Sequence, residues 1–345
     1  MRGKQYWCIA CATIFACLFL IGVGILFTHI PVVNESSQGD PPATEREATL
    51  SSFETGILSR LRLPVPIPFF SKKREVLSFI VENHEDARPF QKGLESAFLI
   101  QEFLVEGMIS RFVVYVDRSD FPKQIGPIRS LRPYFLSGIV PWSSALFYAG
   151  GSPEALEQVL TFPTLYAFNG LGLPNHFLRD PASVPPHDLF VDREHVEDLL
   201  KEKDLHVTDS NLFSVGGFPS GSGATKVFVQ FFNPDHNVTY IYDALGGGYI
   251  RTNGHLVQDA RPSNVLMMEV PITDVGEYGR LVMDTIGSGP ILLFRNGKVQ
   301  SGTWVRAFED QPYLFLDADG STLLFSKGQI WMMVLPTLER VEWSE

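Results

Sequence analysis

The sequence predicts a mixed α/β fold: an N-terminal α/β unit packed on a β-rich C-terminal unit, preceded by one transmembrane helix. Three observations predict it. A charge-free apolar run near the start is long enough to span a bilayer. Strand-like apolar runs then alternate with helix signals up to about residue 215, as α/β units do. After Gly216-Gly217, short β-branched and aromatic runs follow one another between Gly, Asn and Asp turns. The 345 residues, 45% of them hydrophobic, can bury one large core or two ordinary ones. With 29 glycines and 24 prolines, many short elements are favoured over long helices.

Tyr6 to Phe27 carries no charge and would be roughly 33 Å long as a helix, matching a hydrocarbon core of ~30 Å. Arg2 and Lys4 precede it and no basic residue follows until Arg46, so the positive-inside rule puts the N-terminus in the cytoplasm. A cleaved signal peptide is the rival, but Thr-His-Ile-Pro-Val-Val after Phe27 holds no Ala-x-Ala-like site. The expectation is an uncleaved single-pass anchor in the cell membrane, with the remainder extracytoplasmic. All three cysteines, Cys8, Cys11 and Cys17, lie in this segment. Lipid attachment is weighed against small apolar residues in a helix, and the helix is preferred because Phe15 fits a lipobox before Cys17 poorly. Beyond it the chain has no thiol for a disulfide, a thiolate metal site or a nucleophile.

The domain boundaries expected are 1–30 for the anchor, 31–74 for a polar, proline-bearing linker, 75–215 for the α/β domain and 216–340 for the β-rich domain. Leu63 to Phe70 reads as extended. Val76–Val81 is a buried strand, and Ser96–Gly107 has apolar residues at 98, 99, 103 and 104, spaced for a helix ending at Gly107. Phe112–Val116 is a strand, Pro133–Ile139 a short helix and Ala145–Tyr148 a strand. Ser152 caps the next helix, with Pro153 at its first position. Residues 163–193 form a long loop before the helix Glu194–Lys203. Strands follow at Val227–Phe232, Thr239–Tyr242, Val265–Val270, Ile291–Phe294, Leu323–Phe325 and Ile330–Val334, and Asn296-Gly297 signals a hairpin.

The net charge is −11, and leaving out Arg2 and Lys4 takes it to −13, which excludes a nucleic-acid partner. Against that background Gly-Pro-Ile-Arg-Ser-Leu-Arg-Pro-Tyr at 126–134 stands out. Arg129 and Arg132 follow a rigid turn, and with Arg111 they could converge on a phosphate or carboxylate. Ser130 lies between them. Gly150, Gly151 and Ser152, ahead of a helix, could add backbone donors, or be a plain capped turn. Glu102 and Glu106, one helical turn apart, could neutralise the same arginines, serve as an acid–base pair, or bind a divalent cation with help from a substrate. The expected metal set is none and no cofactor is expected. His187, followed by Asp188, offers a base near neutral pH, as does His176. Gly287-Ser288-Gly289-Pro290 reads as a tight hairpin, and Trp304 and Trp331 as core. No Walker loop, dinucleotide fingerprint or Ser-His-Asp order is present.

Several phrases together resemble the YerB family, bacterial envelope lipoproteins built around a domain of unknown function. They are Val-Glu-Asn-His at 81–84, Ala-Arg-Pro at 87–89, Glu-Gly-Met-Ile-Ser-Arg at 106–111, the arginine phrase at 125–135 and Ala-Gly-Gly-Ser-Pro-Glu-Ala at 149–155. Pro-His-Asp-Leu at 186–189 stands where the family has Pro-His-Asn-Leu. Tyr249-Ile-Arg251, Gly287-Ser-Gly289, Gly302-Thr-Trp304 and Gly328-Gln-Ile-Trp331 extend the resemblance to about residue 336. The family often has a lipobox cysteine, which the apolar helix here would replace. A fainter similarity, from Ser110-Arg111 to Gly150–Glu154, is to the LytR-CpsA-Psr enzymes, which attach glycopolymers to cell wall and grip a polyprenyl pyrophosphate with arginines. The characteristic Arg-Asp is absent here, Arg129 being followed by Ser130.

The leading functional expectation is binding of an anionic envelope ligand, a lipid-linked phosphate or wall glycopolymer, through Arg111, Arg129 and Arg132. One alternative is a transferase or hydrolase of wall polymers with Glu106 or His187 as base. The other is a scaffolding module whose arginines only neutralise carboxylates.

Overall fold

One mixed β-sheet runs through both halves of the chain. The computed structural model describes residues 73–205, 208–209, 213–217, 220–275 and 280–345. Strands of four residues or more are numbered in chain order: β1 (Val76–Glu82), β2 (Leu99–Val105), β3 (Ile109–Asp117), β4 (Ala145–Tyr148), β5 (Tyr166–Asn169) and β6 (Leu189–Asp192). The second half adds β7 (Lys226–Val229), β8 (Val238–Asp243), β9 (Gly248–Asn253), β10 (Asn264–Glu269), β11 (Gly287–Arg295), β12 (Lys298–Arg306), β13 (Leu314–Asp317), β14 (Ile330–Leu335) and β15 (Val341–Ser344). The α-helices are α1 (Pro133–Ile139), α2 (Pro153–Gln158) and α3 (Arg193–Leu200).

The large sheet has the order Ser222–Gly223, β12, β11, β10, β14, β2, β3, β1, β4, β5, with β13 on the outer side of β12. Its two halves join where β14 pairs in parallel with β2, Ile330 opposite Leu99 through Val334 opposite Phe103. A second, antiparallel sheet runs Leu256–Val257, β9, β8, β7, β15. Of the described residues 43% lie in strands and 16% in helices, so the fold is mostly β. The expected mixed α/β class, with an α/β unit packed on a β-rich one, is therefore corrected: the supposed first unit contributes half of a shared sheet. The expected transmembrane helix is corrected with it. No helix among the described residues is long and apolar enough to cross a membrane, and residues 6–27, like Leu63–Phe70 and nearly all of the linker, lie outside the described residues.

The predicted helix Ser96–Gly107 is the clearest local correction. It is strand β2, and all seven of its residues are buried. A strand covered on both faces loses its period-two signature and reads as a continuous apolar run, which here imitated helical spacing. Gly107, with φ 75°, does not cap a helix but turns the chain into β3, Val105 pairing with Ile109. The supposed long loop 163–193 contains β5, β6 and the short strand Leu178–Arg179. Leu323–Phe325 forms only isolated bridges nearby, Val215 with Phe325 among them, and Gly287–Pro290 opens β11 instead of forming a turn. Asn296 and Gly297 both have positive φ and close the β11–β12 hairpin as expected.

Both faces of the central strands are covered. On one face α1 packs, with Phe135 5.3 Å from Phe103 and the Tyr115 hydroxyl donating to the Gly138 carbonyl at 2.9 Å. On the other face lies the five-stranded sheet. Its strands alternate as a half-buried antiparallel sheet should, Tyr249, Arg251 and Asn253 inward with Ile250 and Thr252 between them less buried. The inward set carries a guanidinium into the core. Arg251 is fully buried, donates from Nη2 to Glu102 Oε2 at 2.7 Å, and lies 4.2 Å from the Trp331 ring centroid. Glu102 also accepts from Trp331 Nε1 at 2.8 Å and from Ser110 Oγ at 2.6 Å. Gln258 and Tyr240 take further Arg251 hydrogens. Asn83 extends the network, donating to Ser110 Oγ and to Asn253 Oδ1.

Removing one member of such a pair leaves a buried charge uncompensated, at a cost of about 3–5 kcal/mol, whereas replacing both by apolar groups can be nearly neutral. We expect Arg251→Met to lower stability by about that amount in urea unfolding, and Glu102→Leu with Arg251→Met to recover most of it. Equal losses in the single and double variants would show that the charge pair is not what matters there.

His236 borders the same network. It is fully buried, its Nε2 is 3.2 Å from Glu85 Oε2, and its Nδ1 has no partner among the described residues. Burial, then the charge of Arg88, pushes its pKa down to about 4, although Glu85 and Glu102 pull the other way. Unfolded, it titrates near ~6.5. The unfolded chain thus binds the proton first as pH falls, and the stability held by neutral His236 is complete above about pH 6.5 and is lost towards pH 4. Stability should therefore decline between those values, by up to about 1.4 kcal/mol per pH unit from this group. His236→Gln, followed by urea unfolding at several pH values, should flatten that limb; an unchanged slope would contradict it.

Candidate functional site

The arginine phrase is laid down beside the end of β1. Its entry requires glycine: Gly126 has φ 153°, and a Cβ there would stand 2.6 Å from the Phe190 ring and 2.9 Å from the Leu189 carbonyl. Beyond it the backbone is held on two sides. Arg129 N donates to Ile80 O at 2.8 Å, while Ala149 N donates to Arg129 O at 2.9 Å and Leu131 N to Gly150 O at 2.9 Å. Arg132 then occupies the cap position of α1, with Pro133 next. This places two guanidiniums beside the end of β1, within the large sheet, where the neighbouring β3 presents the third.

Arg111 on β3 faces Glu82 across the β1–β3 ladder and Phe103 across the β2–β3 ladder. Yet Glu82 is already engaged. Its carboxylate, 5% exposed, accepts from Arg129 Nε at 2.8 Å through Oε1 and lies 2.9 Å from His187 Nδ1 through Oε2. Glu106, in the β2–β3 turn, takes Arg132 in a two-point pair, Nη2 to Oε2 at 2.9 Å and Nε to Oε1 at 2.5 Å. Burial would raise the Glu106 pKa, but the Arg132 bond and charge outweigh it and hold it below the usual carboxylate range. Arg111 is left with one bond, Nη1 to the Ser130 carbonyl at 2.8 Å, and no carboxylate within 4.0 Å among the described residues. Burial, then the neighbouring charge of Arg132, pushes its pKa down to about 10. Two of the three guanidiniums are thus paired with the carboxylates of Glu82 and Glu106, and Arg111 with none among the described residues.

Of the residues singled out in the sequence, Arg111, Arg129, Ser130, Arg132, Glu106 and His187 come together here. Gly150, Gly151 and Ser152 run alongside, Leu131 bridging Gly151. The Gly150 N–H is bonded to Asn169 Oδ1 at 2.9 Å, the Ser152 N–H to Leu131 O at 3.3 Å, and the Ser152 hydroxyl caps α2 through Ala155 N. These groups brace the arginine segment. Glu102 is elsewhere, committed to Arg251, because successive strand positions face opposite sides of the sheet. His176 is also elsewhere, 3.0 Å from Asp198, and Asp188 pairs with Arg179 at 2.6 Å. A surface cleft of about 840 Å³ lined by Arg118, His176, His195 and Glu197 lies at that second place. Its lining sets Glu194, Glu197 and Asp198 against Arg118 and Lys201, and Arg118 pairs with Glu197 and Glu75, so it lacks the unpaired guanidinium of the arginine cluster.

Three residues that sequence reasoning missed belong to the cluster: Glu82, His84 and Asp86. Their signal was the run Val-Glu-Asn-His-Glu-Asp at 81–86, three carboxylates and an imidazole at a strand end. His84, Asp86 and His187 are also the described residues whose grouping could hold a metal ion.

Comparison with known proteins agrees with the resemblance in the sequence. Residues 69–206 match the DUF3048 N-terminal domain model, and residues 227–332 the DUF3048 C-terminal domain model, both described as protein of unknown function. The chain is 28% identical over 280 residues to the protein of Bacillus subtilis (strain 168) named "Putative lipoprotein YerB", covering 77% of this chain and 83% of that protein. The crystal structure of YerB protein from Bacillus subtilis matches with a TM-score of 0.69 at 25% identity, covering 79% of this chain and 94% of that one. The expected single-pass membrane location is corrected on these findings: the similarity is to a protein named as a lipoprotein, and no described helix could span a bilayer.

Proposed function

We propose, on the premise that the chain belongs to the YerB family and is built of the two DUF3048 domains, that it binds an anionic ligand of the cell envelope through Arg111, Arg129 and Arg132. The ligand class is a phosphate-bearing lipid or wall glycopolymer. The observation that carries this reading is Arg111. It is a guanidinium that is 8% exposed, is crowded by two others, and has a single backbone carbonyl as its hydrogen-bond partner among the described residues. Leaving a cation so placed is costly unless an anion completes it, and guanidinium–phosphate contacts are short, oriented and strong. Arg129 and Arg132 are only partly exposed, so their positions are already ordered and little entropy is lost on binding.

Binding is favoured over catalysis by the state of Glu106. Both of its oxygens are occupied by Arg132 and its basicity is low, so it is a poor proton acceptor. Its role in this reading is to hold Arg132 in place until a stronger anion arrives.

The test uses the full-length chain and inorganic pyrophosphate as probe. Calorimetry should show saturable binding that weakens with added salt, and Arg111→Gln should weaken it at least tenfold, the loss expected for charge-assisted bonds of about 1.5–3 kcal/mol. Glu106→Gln, which removes a competing anion, should tighten it. Native mass spectrometry of protein from envelope extracts should then reveal a phosphorylated species that Arg111→Gln lacks. A wild type that takes up neither probe nor extract ligand, with Arg111→Gln merely less stable, would favour scaffolding instead.

A further inference from the structure

We propose that His84, Asp86 and His187 form a site for a divalent transition-metal ion beside the arginine cluster. The inference goes beyond anion binding and does not depend on it. His84 and Asp86 follow the end of β1, and His187 stands in the turn before β6; one potential ligand atom of each lies within 4.8 Å of the others. The two imidazole ring centroids are 5.4 Å apart with planes 24° from parallel. Two imidazoles on one tetrahedral ion, with metal–nitrogen bonds of ~2.0–2.1 Å, have centroids roughly 5 Å apart. The rings are thus already at the separation that shared ligation requires.

A hydrogen bond to Glu82 orients the His187 ring. His187 Nδ1 is 2.9 Å from the Glu82 carboxylate, which is itself gripped by Arg129. A buried carboxylate bonded to one ring nitrogen orients the ring and turns the lone pair of the other, Nε2, outward, the usual arrangement behind a metal-ligating histidine. In His84, Nδ1 accepts the Asp86 N–H at 3.3 Å and lies 3.6 Å from Asp86 Oδ2, while Nε2 lies 3.6 Å from Glu85 Oε1; an ion bound at Nδ1 would take the place of that weak N–H contact. Ligand atoms on a tetrahedral ion with these bond lengths stand roughly 3.3 Å apart.

The donor set gives the class of ion. Two imidazoles and one carboxylate suit Zn²⁺, Co²⁺ or Ni²⁺ and not Mg²⁺ or Ca²⁺, which prefer all-oxygen surroundings. Three protein ligands leave a position open, and the site has an entry side: the His187 side chain is 13% exposed but that of Asp86 is 71% exposed.

The experiment takes the full-length chain, without a polyhistidine tag and freed of metal by chelator, and titrates it with Co²⁺ and Zn²⁺ against Mg²⁺ as control. One Co²⁺ or Zn²⁺ per chain should bind, with Co²⁺ showing ligand-field absorption and Mg²⁺ not competing. Asp86→Asn, a substitution at an exposed side chain that leaves folding intact, should weaken binding at least tenfold, as should His187→Ala and His84→Ala. Glu82→Gln should weaken it by about 10–100-fold through loss of orientation. Arg111→Gln should retain the metal, which separates this site from anion binding. Absence of stoichiometric Co²⁺ and Zn²⁺ uptake, or uptake unchanged by Asp86→Asn and His187→Ala, would overturn the proposal.

Discussion

The contact between Glu102 and Arg251 is the constraint on which the rest of the molecule depends. It fastens the five-stranded sheet to the large sheet from inside the dry interface, where an unpaired charge would not be tolerated. Satisfying it takes Trp331, Ser110, Gln258 and Tyr240, contributed by four different strands or connections. A register slip of one residue in β9 would turn Arg251 to solvent and strand Glu102, so the pairing is specified by charge as well as by apolar pattern. The energetic gain of such a pair over well-packed hydrophobes is small. Its effect is to exclude other ways of packing the two sheets.

That constraint reaches the candidate site through two consecutive residues at the end of β1. Asn83 belongs to the inter-sheet network, bonded to Ser110 and Asn253. Glu82 points to the other side and divides its oxygens between Arg129 and His187. A buried carboxylate with two such partners has no freedom to reorient, so the position of each is set by the other. This is why Arg111, although it lies opposite Glu82 in the ladder, is left to the Ser130 carbonyl. The excess guanidinium is a consequence of how the carboxylates are allocated.

Much of this was legible in the sequence, and the failures have physical reasons. The arginine phrase, the cap at Ser152, strand Ala145–Tyr148 and hairpin Asn296-Gly297 rest on local chemistry, and each formed where expected. The overall class did not follow, because β2 is buried on both faces and its apolar spacing imitated a helix instead of alternating. Glu102 and Glu106 were read as a pair on one helix face; as strand and turn residues they serve different partners. Arg251 looked like an ordinary strand arginine, since a guanidinium is invisible as a core residue until its carboxylate, 149 positions away, is found. Glu82, His84 and Asp86 were missed for the same reason: their meaning depends on His187 and Arg129, which only the fold brings near.

An acidic body would make the proposed anion site more selective. With a net charge of −11 the protein repels anions at a distance, and salt confines that repulsion to about 8–10 Å. A singly charged ion gains little from one guanidinium under those conditions. A group with several anionic oxygens can meet Arg111 and compete with Glu106 for Arg132 at once, each contact short and charge-assisted. The same field would favour a divalent cation at the proposed site of His84, Asp86 and His187. In the proposed function, recognition of an anion would therefore come from contact geometry at the cluster and owe little to long-range attraction.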